Sequence, residues 1–122
     1  MFELDILRSF SAAHALRGYN GDCANFHGHN WTVQVFIQSE TLNEIGIAVD
    51  FKILKQELDI ILNELDHKNL NEHPHFKTVN ATSENLAMYI YKRLKSASAL
   101  SGMRISRVRV CESNSSGASY YE

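Results

Sequence analysis

Two segments near the N-terminus alternate apolar and polar residues, and histidines continue that alternation. In residues 2–12 the even positions are apolar with one exception, and His14 follows with the same parity. In residues 30–38 most apolar residues occupy odd positions, and His27 and His29 precede them with that parity. Because residues i and i+2 of a strand share a face, the sequence predicts neighbouring strands whose imidazoles point toward one place.

Three histidines are the ligand set of a catalytic zinc site that keeps a fourth position open. Imidazole also suits copper, nickel and iron, and each histidine alone is more often an ordinary surface or core residue. Cys23 lies four residues before His27, close enough to act as a fourth ligand or as a reactive thiolate beside the ion. A second His-x-His pair, His73 and His75, flanks a proline in a polar segment, and we expect it to be solvated.

Composition excludes several classes of function. The chain has 122 residues, a formal net charge of −2 and scattered basic residues, so no nucleic-acid surface is predicted. No segment approaches the roughly 20 apolar residues needed to cross a membrane. The first five residues lack the positive charge of a signal peptide, which favours a cytoplasmic protein with free thiols. We expect a single domain over residues 1–122, with Cys111 as a small core residue.

The middle of the chain predicts two helices. Asp50 is a typical N-cap residue, and apolar residues follow at helical spacing over 51–65. We expect this helix to end near residues 66 and 67 and a polar loop to cover 66–80. Thr82 or Ser83 then caps a second helix with its own apolar stripe.

The C-terminal part predicts two more strands. Residues 103–112 carry alternating valines, and residues 120–121 form a short closing strand. The element order is therefore β-β-α-α-β-β. Because strands and helices are segregated, this order predicts an α+β fold in which two helices cover one face of a four-stranded antiparallel sheet.

Two carboxylates are further candidates for chemistry. Asp66 directly precedes His67 and can orient its imidazole, as the acid does in a nucleophile–base–acid site. The alternative is a helix C-terminus, where a histidine interacts favourably with the dipole. Glu112 continues a valine-rich face and can accept two hydrogen bonds from a ligand, unless the strand has already ended and the carboxylate is solvated.

Together these segments resemble the 6-pyruvoyl-tetrahydropterin synthase family, which includes the 6-carboxytetrahydropterin synthases of queuosine and deazapurine biosynthesis. The resemblance covers nearly the whole chain, since six blocks occur in the family's order. The blocks are Phe-Ser-Ala-Ala-His (10–14), Cys-Ala-Asn-Phe-His-Gly-His-Asn (23–30), Val-Asp-Phe (49–51), Leu-Asp-His-Lys-Asn-Leu-Asn (65–71), Thr-Ser-Glu-Asn (82–85) and Cys-Glu (111–112).

The resemblance implies a role for each candidate residue. The matching histidines, His14, His27 and His29, would bind catalytic zinc. Cys23 would be the general base, assisted by the pair Asp66 and His67. Glu112 would anchor the pterin ring, which the helix start at Thr82 and Ser83 helps to seat.

The resemblance also implies a fold, an assembly and a substrate. The fold is the T-fold (tunnelling fold), and its members form trimers that usually pair into hexamers with active sites between subunits. The implied substrate is 7,8-dihydroneopterin triphosphate. Three residues separate Cys23 from His27, a gap that resembles bacterial 6-carboxytetrahydropterin synthases more than the animal pyruvoyl enzymes. Ala81 stands where the family commonly has proline, which removes a backbone constraint but no functional group.

Two other classes of function remain open at this stage. A metal-free thiol hydrolase would use Cys23, His67 and Asp66, but it leaves the aligned histidines unexplained. A non-enzymatic zinc module would use Cys23 as the fourth ligand of a closed site, and metal removal should then unfold the chain.

Overall fold

The computed structural model describes all 122 residues and contains five strands and two α-helices. In chain order these are β1 (Phe2–His14), β2 (His27–Ser39), α1 (Phe51–Asn63), β3 (Lys68–Asn69), α2 (Ser83–Lys95), β4 (Arg104–Ser113) and β5 (Ser116–Tyr120). Short 3₁₀ turns occur at Asp22–Ala24, Leu70–Glu72, Pro74–Lys77 and Ser98–Leu100. None of the helices is long and apolar enough to span a membrane.

One sheet organises the molecule, with the strand order β3-β1-β2-β4-β5. The strands β1 and β2 pair antiparallel over their whole length, from Phe2 opposite Ser39 to His14 opposite His27. The apolar face of this pair packs with both helices into a core of 25 buried residues. The α+β architecture is therefore as predicted, and the hairpin-like β1–β2 pair carries the three histidines to one end of the sheet.

The sheet differs from the prediction by one strand. β3 lies in the segment expected to be a loop, and it pairs parallel to β1 through Ala12 opposite Lys68 and Ala13 opposite Asn69. The sheet is thus five-stranded and not purely antiparallel. A two-residue strand of polar residues is too short to show an alternating pattern, which is why the sequence does not reveal it.

Both helix starts are set by the predicted capping chemistry. The Asp50 carboxylate accepts a hydrogen bond from the Lys52 N–H at 2.9 Å, and the Thr82 hydroxyl accepts from the Asn85 N–H at 3.1 Å. Thr82 is therefore the cap, and Ser83 is the first helical residue. The helix α1 ends at Asn63, earlier than expected.

The expectation for Cys111 is wrong. Cys111 is half-buried, and it lies between Val110 and Glu112 on β4. The buried residues Val108 and Val110 have the opposite parity, so the Cys111 side chain is turned away from the core that they enter. Its thiol is free, as is that of Cys23.

Candidate metal centre and catalytic residues

The strand pairing brings the three histidines together. His14 lies directly opposite His27 in the β1–β2 ladder, and His29 follows on the same face of β2. The ring centroids are 4.6 Å apart for His14 and His27, 4.7 Å for His27 and His29, and 5.4 Å for His14 and His29. One ring nitrogen from each residue lies within 4.8 Å of the other two. This spacing allows all three to bind one ion.

The surroundings of His14 fit a metal ligand. Its side chain is 1% exposed, and Nδ1 lies 2.7 Å from the carbonyl oxygen of Ala81. Because a carbonyl can only accept, Nδ1 carries the proton and the lone pair is on Nε2. Nε2 is buried without a hydrogen-bond partner, a state that costs about 1–3 kcal/mol in a closed core. Burial also lowers the pKa of His14, which favours the neutral, metal-binding form.

The Nδ1 atom of half-buried His27 also lies against a backbone carbonyl. Its Nδ1 lies 2.6 Å from the carbonyl oxygen of Asn25, so its lone pair is also on Nε2. Metal-binding histidines commonly donate their other ring N–H to a carbonyl in this way. His29 differs, because its Nε2 lies 3.6 Å from a carboxylate oxygen of Glu112. The three-histidine set therefore fits a divalent metal ion, and zinc is the ion that such a set most often holds.

Sequence patterns do not identify the groups that orient these rings. The carbonyls of Ala81 and Asn25 belong to the backbone and leave no residue-type signal. Trp31, one of the alternating apolar residues of β2, is buried in the core, and its ring contacts His14 and His29 edge-on at centroid distances of 5.0 and 5.3 Å. The Trp31 indole N–H donates to the Ala12 carbonyl at 3.2 Å, so the ring forms a fixed wall behind the histidines.

Glu112 lies within β4 and not beyond its end. With His14, Thr82 and Ser83 it lines a cavity of about 180 Å³ beside the histidines, which the β5 residues 116–118 close on the other side. The cavity thus brings one metal-ligand candidate, His14, together with the three residues expected to contact a pterin. About 39% of the Glu112 side chain is exposed, so it can meet a ligand that enters this cavity.

Asp66 and His67 form an oriented pair at the edge of β1. The Asp66 carboxylate lies 3.0 Å from His67 Nδ1 and accepts from the Ser11 N–H at 2.9 Å. The Ser11 N–H, and then His67, lower the pKa of Asp66. The His67 N–H donates to the Ser11 carbonyl at 2.6 Å, and its φ of 56° turns the chain sharply. These bonds lead the chain from the turn that follows α1 to the edge of β1.

The Asp66–His67 pair is not part of the three-histidine cluster. The His67 side chain is 82% exposed and lies in a groove with Ser11, Gly28 and Asn30. The Ser11 hydroxyl donates to the Asn30 side chain at 2.7 Å across the strands, so both point to one face. That face is opposite the one that carries the three imidazoles, because Asn30 alternates with His29 along β2.

Cys23 lies in the 3₁₀ turn before β2 and is half-buried. Its carbonyl accepts from the Leu16 N–H at 2.9 Å, which ties this turn to the segment that leaves β1. The group of ligand atoms within 4.8 Å of one another contains the three histidines and not the Cys23 sulfur. The geometry of the single chain therefore favours a three-ligand site over a closed site with cysteine.

Comparison with known families identifies the family of this chain. A family model described as 6-pyruvoyl tetrahydropterin synthase matches residues 3–122. The chain belongs to this family. It is 36% identical over 118 residues to the 6-carboxy-5,6,7,8-tetrahydropterin synthase of Synechocystis sp., covering 93% of this chain and 88% of that protein. It is 30% identical to the enzyme of the same name from Haemophilus influenzae over the full length of both chains.

The fold comparison places the chain among the pterin synthases of the T-fold. The solved structure of Caenorhabditis elegans 6-pyruvoyl tetrahydropterin synthase superposes with a TM-score of 0.88 at 30% identity, covering 99% of this chain and 95% of that one. The predicted T-fold is thus confirmed, with the short β3 as the added strand.

Proposed function

We propose that this protein is a zinc-dependent carbon–carbon lyase, a 6-carboxytetrahydropterin synthase. It would convert 7,8-dihydroneopterin triphosphate and water to 6-carboxy-5,6,7,8-tetrahydropterin, acetaldehyde and triphosphate. The product would enter queuosine or 7-deazapurine biosynthesis.

The observation that carries this proposal is the buried, unpartnered Nε2 of His14 beside His27 and His29. A buried ring nitrogen without a partner is costly, and the two further imidazoles beside it are what an ion bound at that nitrogen would need. Support for the pterin reaction comes from the family match and from the Synechocystis relative. The short gap between Cys23 and His27 further favours the carboxy reaction over the pyruvoyl reaction.

In the proposed site, one set of residues binds the zinc ion and the pterin, and another set transfers protons. A zinc ion held by His14, His27 and His29 would supply Lewis-acid polarisation of oxygen atoms on the substrate side chain. Glu112 would accept hydrogen bonds from adjacent N–H groups of the pterin, an arrangement in which a carboxylate binds both strongly and directionally. Thr82 and Ser83, on the same cavity wall, would seat the ring.

Proton transfer is assigned to three residues outside the zinc ligands. The Cys23 thiolate would remove a proton from the substrate side chain, as a positioned general base. His67, oriented by the Asp66 carboxylate, would return or relay protons. Its Nδ1 faces Asp66, so Nε2 is the atom available to the substrate.

We also propose that the active site is completed by assembly. The support for this proposal is that His67 is 82% exposed, on the face of the sheet opposite the proposed zinc ligands, where it would act on a substrate bound by a neighbouring subunit. A homohexamer made of two trimers, with sites between subunits, would supply that arrangement.

The runner-up function is 6-pyruvoyl-tetrahydropterin synthase, which would eliminate triphosphate without cleaving the side chain. The close superposition on the C. elegans enzyme of that name favours it. The deciding experiment is incubation of zinc-loaded protein with 7,8-dihydroneopterin triphosphate and mass analysis of the products. A carboxypterin with acetaldehyde supports the main proposal and a pyruvoyl pterin the alternative, while absence of turnover would count against both.

A further inference from the structure

The orientation of His14 depends on one backbone carbonyl. His14 Nδ1 bonds to the Ala81 oxygen at 2.7 Å, and the opposite ring nitrogen has no partner in the chain. Ala81 lies between the 3₁₀ turn Pro74–Lys77 and α2, outside any helix or strand. Regular hydrogen bonding therefore does not fix this carbonyl, and other contacts must do so.

The neighbouring residue Asn80 supplies those contacts on one side. Its side-chain oxygen accepts from the Arg17 N–H at 3.0 Å, and its side-chain nitrogen donates to the Arg17 carbonyl at 2.9 Å. This two-bond pair imitates the bonding of an adjacent antiparallel strand. It fastens the segment before α2 to the chain that leaves β1, three residues beyond His14.

The other side of Asn80 is held by α2 itself. The Asn85 side chain donates to the Asn80 carbonyl at 2.9 Å, while the Asn85 N–H bonds to the capping hydroxyl of Thr82. The Arg17 guanidinium also donates to the carbonyl of Val79 at 2.9 Å. Asn80 is thus bonded to both the β1 exit and the helix start, and the next residue carries the acceptor for His14.

We propose that Asn80 is a positioning residue for the metal centre. Its amide holds the Ala81 carbonyl against His14 Nδ1, which fixes the ring and leaves the Nε2 lone pair directed at the ion. This inference rests on the zinc site of the proposed function. It assigns to Asn80 a role in metal affinity that is separate from its contribution to folding, because outer partners of a metal-binding histidine tune the ligand itself.

The test is zinc affinity, measured by competition with a chelator of known affinity, in Asn80→Ala and in the control Asn43→Ala. Asn43 is a suitable control because its side chain also makes two hydrogen bonds to the backbone, both accepted by its oxygen from the Ile45 and Ile47 N–H groups, in the loop after the far end of β2. We expect Asn80→Ala to bind zinc about 10- to 100-fold more weakly and Asn43→Ala to stay within about twofold of wild type. Circular dichroism would verify that both variants are folded.

A spectroscopic readout separates positioning from general loosening. In the metal-free protein, long-range ¹H–¹⁵N spectra of histidine should show His14 with its proton on Nδ1, and Asn80→Ala should mix the two tautomers. If Asn80→Ala does not fold, Asn85→Ala removes only the bond to the Asn80 carbonyl and should weaken zinc binding by a smaller factor.

The outcomes are distinguishable. The inference is overturned if Asn80→Ala binds zinc as tightly as wild type, or if Asn85→Ala does so where it is used instead. It is also overturned if Asn43→Ala loses as much zinc affinity as Asn80→Ala. Failure of the wild-type protein to bind zinc at all would overturn the proposed function as well, and it would be evident before any variant is compared.

Discussion

The chain contains two His-x-His sequences, and the structure uses them differently. On β2 the rings of His27 and His29 lie 4.7 Å apart on the face that also carries His14. At the 3₁₀ turn 74–77, which His73 caps and which contains His75, the two rings pack on Tyr89 instead, with centroid distances of 5.4 and 4.7 Å. The second pair belongs to no cluster of metal-ligand atoms.

The backbone, and not the motif, makes the difference. A strand directs residues i and i+2 to one face, and the paired strand adds a third donor opposite them. In the turn, His73 Nδ1 accepts from the His75 N–H at 3.2 Å, so a local backbone bond occupies the nitrogen. In this chain the His-x-His pair that lies beside a third imidazole is the one on paired strands, where His14 is buried with one ring nitrogen that has no other partner.

The largest expected effect separates the two pairs directly. His27→Ala should abolish turnover and lower zinc affinity by more than the roughly 10- to 100-fold typical of losing an outer partner, because it removes one of the three proposed ligands. His75→Ala should change neither, since His75 is exposed and stacks on Tyr89. Metal analysis after dialysis and product assays on both variants would check this. Equal zinc loss in both would mean that the second pair also binds metal.

The next largest effect tests whether the three histidines are sufficient to bind zinc without Cys23. Cys23→Ala should retain zinc while turnover falls about 100- to 10,000-fold, the range for loss of a general base. The geometry behind this expectation is that the Cys23 sulfur lies outside the ligand cluster. Zinc content and turnover should be measured on one preparation. Loss of metal from Cys23→Ala would contradict the base assignment and favour the closed site.

Much of this arrangement was predictable because it depends on side-chain periodicity. Alternation places His14, His27 and His29 on the core face of two strands, and the structure confirms that placement. The helix caps Asp50 and Thr82 were equally predictable from the sequence, since a short polar side chain before an apolar helical pattern accepts a hydrogen bond from the first turn of the helix.

The remainder depends on contacts that leave no periodic signal. The strand β3 lies beside β1 directly after Asp66 and His67, which bond to the backbone of Ser11, 55 residues away from Asp66 in sequence. The acceptor for His14 is likewise a backbone carbonyl 67 residues distant. Composition and spacing record residue types, so they cannot show which main-chain groups will meet.

A smaller effect should appear at His73, in the pH dependence of the free energy of unfolding of the chain. Burial lowers the pKa of His73 below its ordinary value of 6.5, with Glu64 opposing the shift and His75 and Arg93 adding to it. The unfolded chain therefore takes up this proton first as the pH falls below about 6.5, and the folded state loses stability in that window.

Replacing His73 by glutamine should flatten this dependence. His14 is present in both proteins, so the difference between wild type and His73→Gln isolates His73. Urea unfolding of metal-free protein at several pH values between 5 and 8 would measure it. Parallel curves for the two proteins would show that burial does not lower the pKa of His73 in the folded chain.

The smallest expected effect lies at the residue between the metal-site histidines. Gly28 has no atom within 4 Å of the position that a Cβ would occupy, and its φ does not lie in the left-handed region. Gly28→Ala should therefore stabilise the chain by about 0.5 kcal/mol, because glycine weakens a strand interior, and leave zinc affinity unchanged. Gly28 shares its groove with His67. If Gly28→Ala loses turnover or assembly while its zinc affinity is intact, a neighbouring subunit or the substrate must fill the space beside Gly28. The two His-x-His pairs would then differ in what lies against them as well as in their backbone conformation.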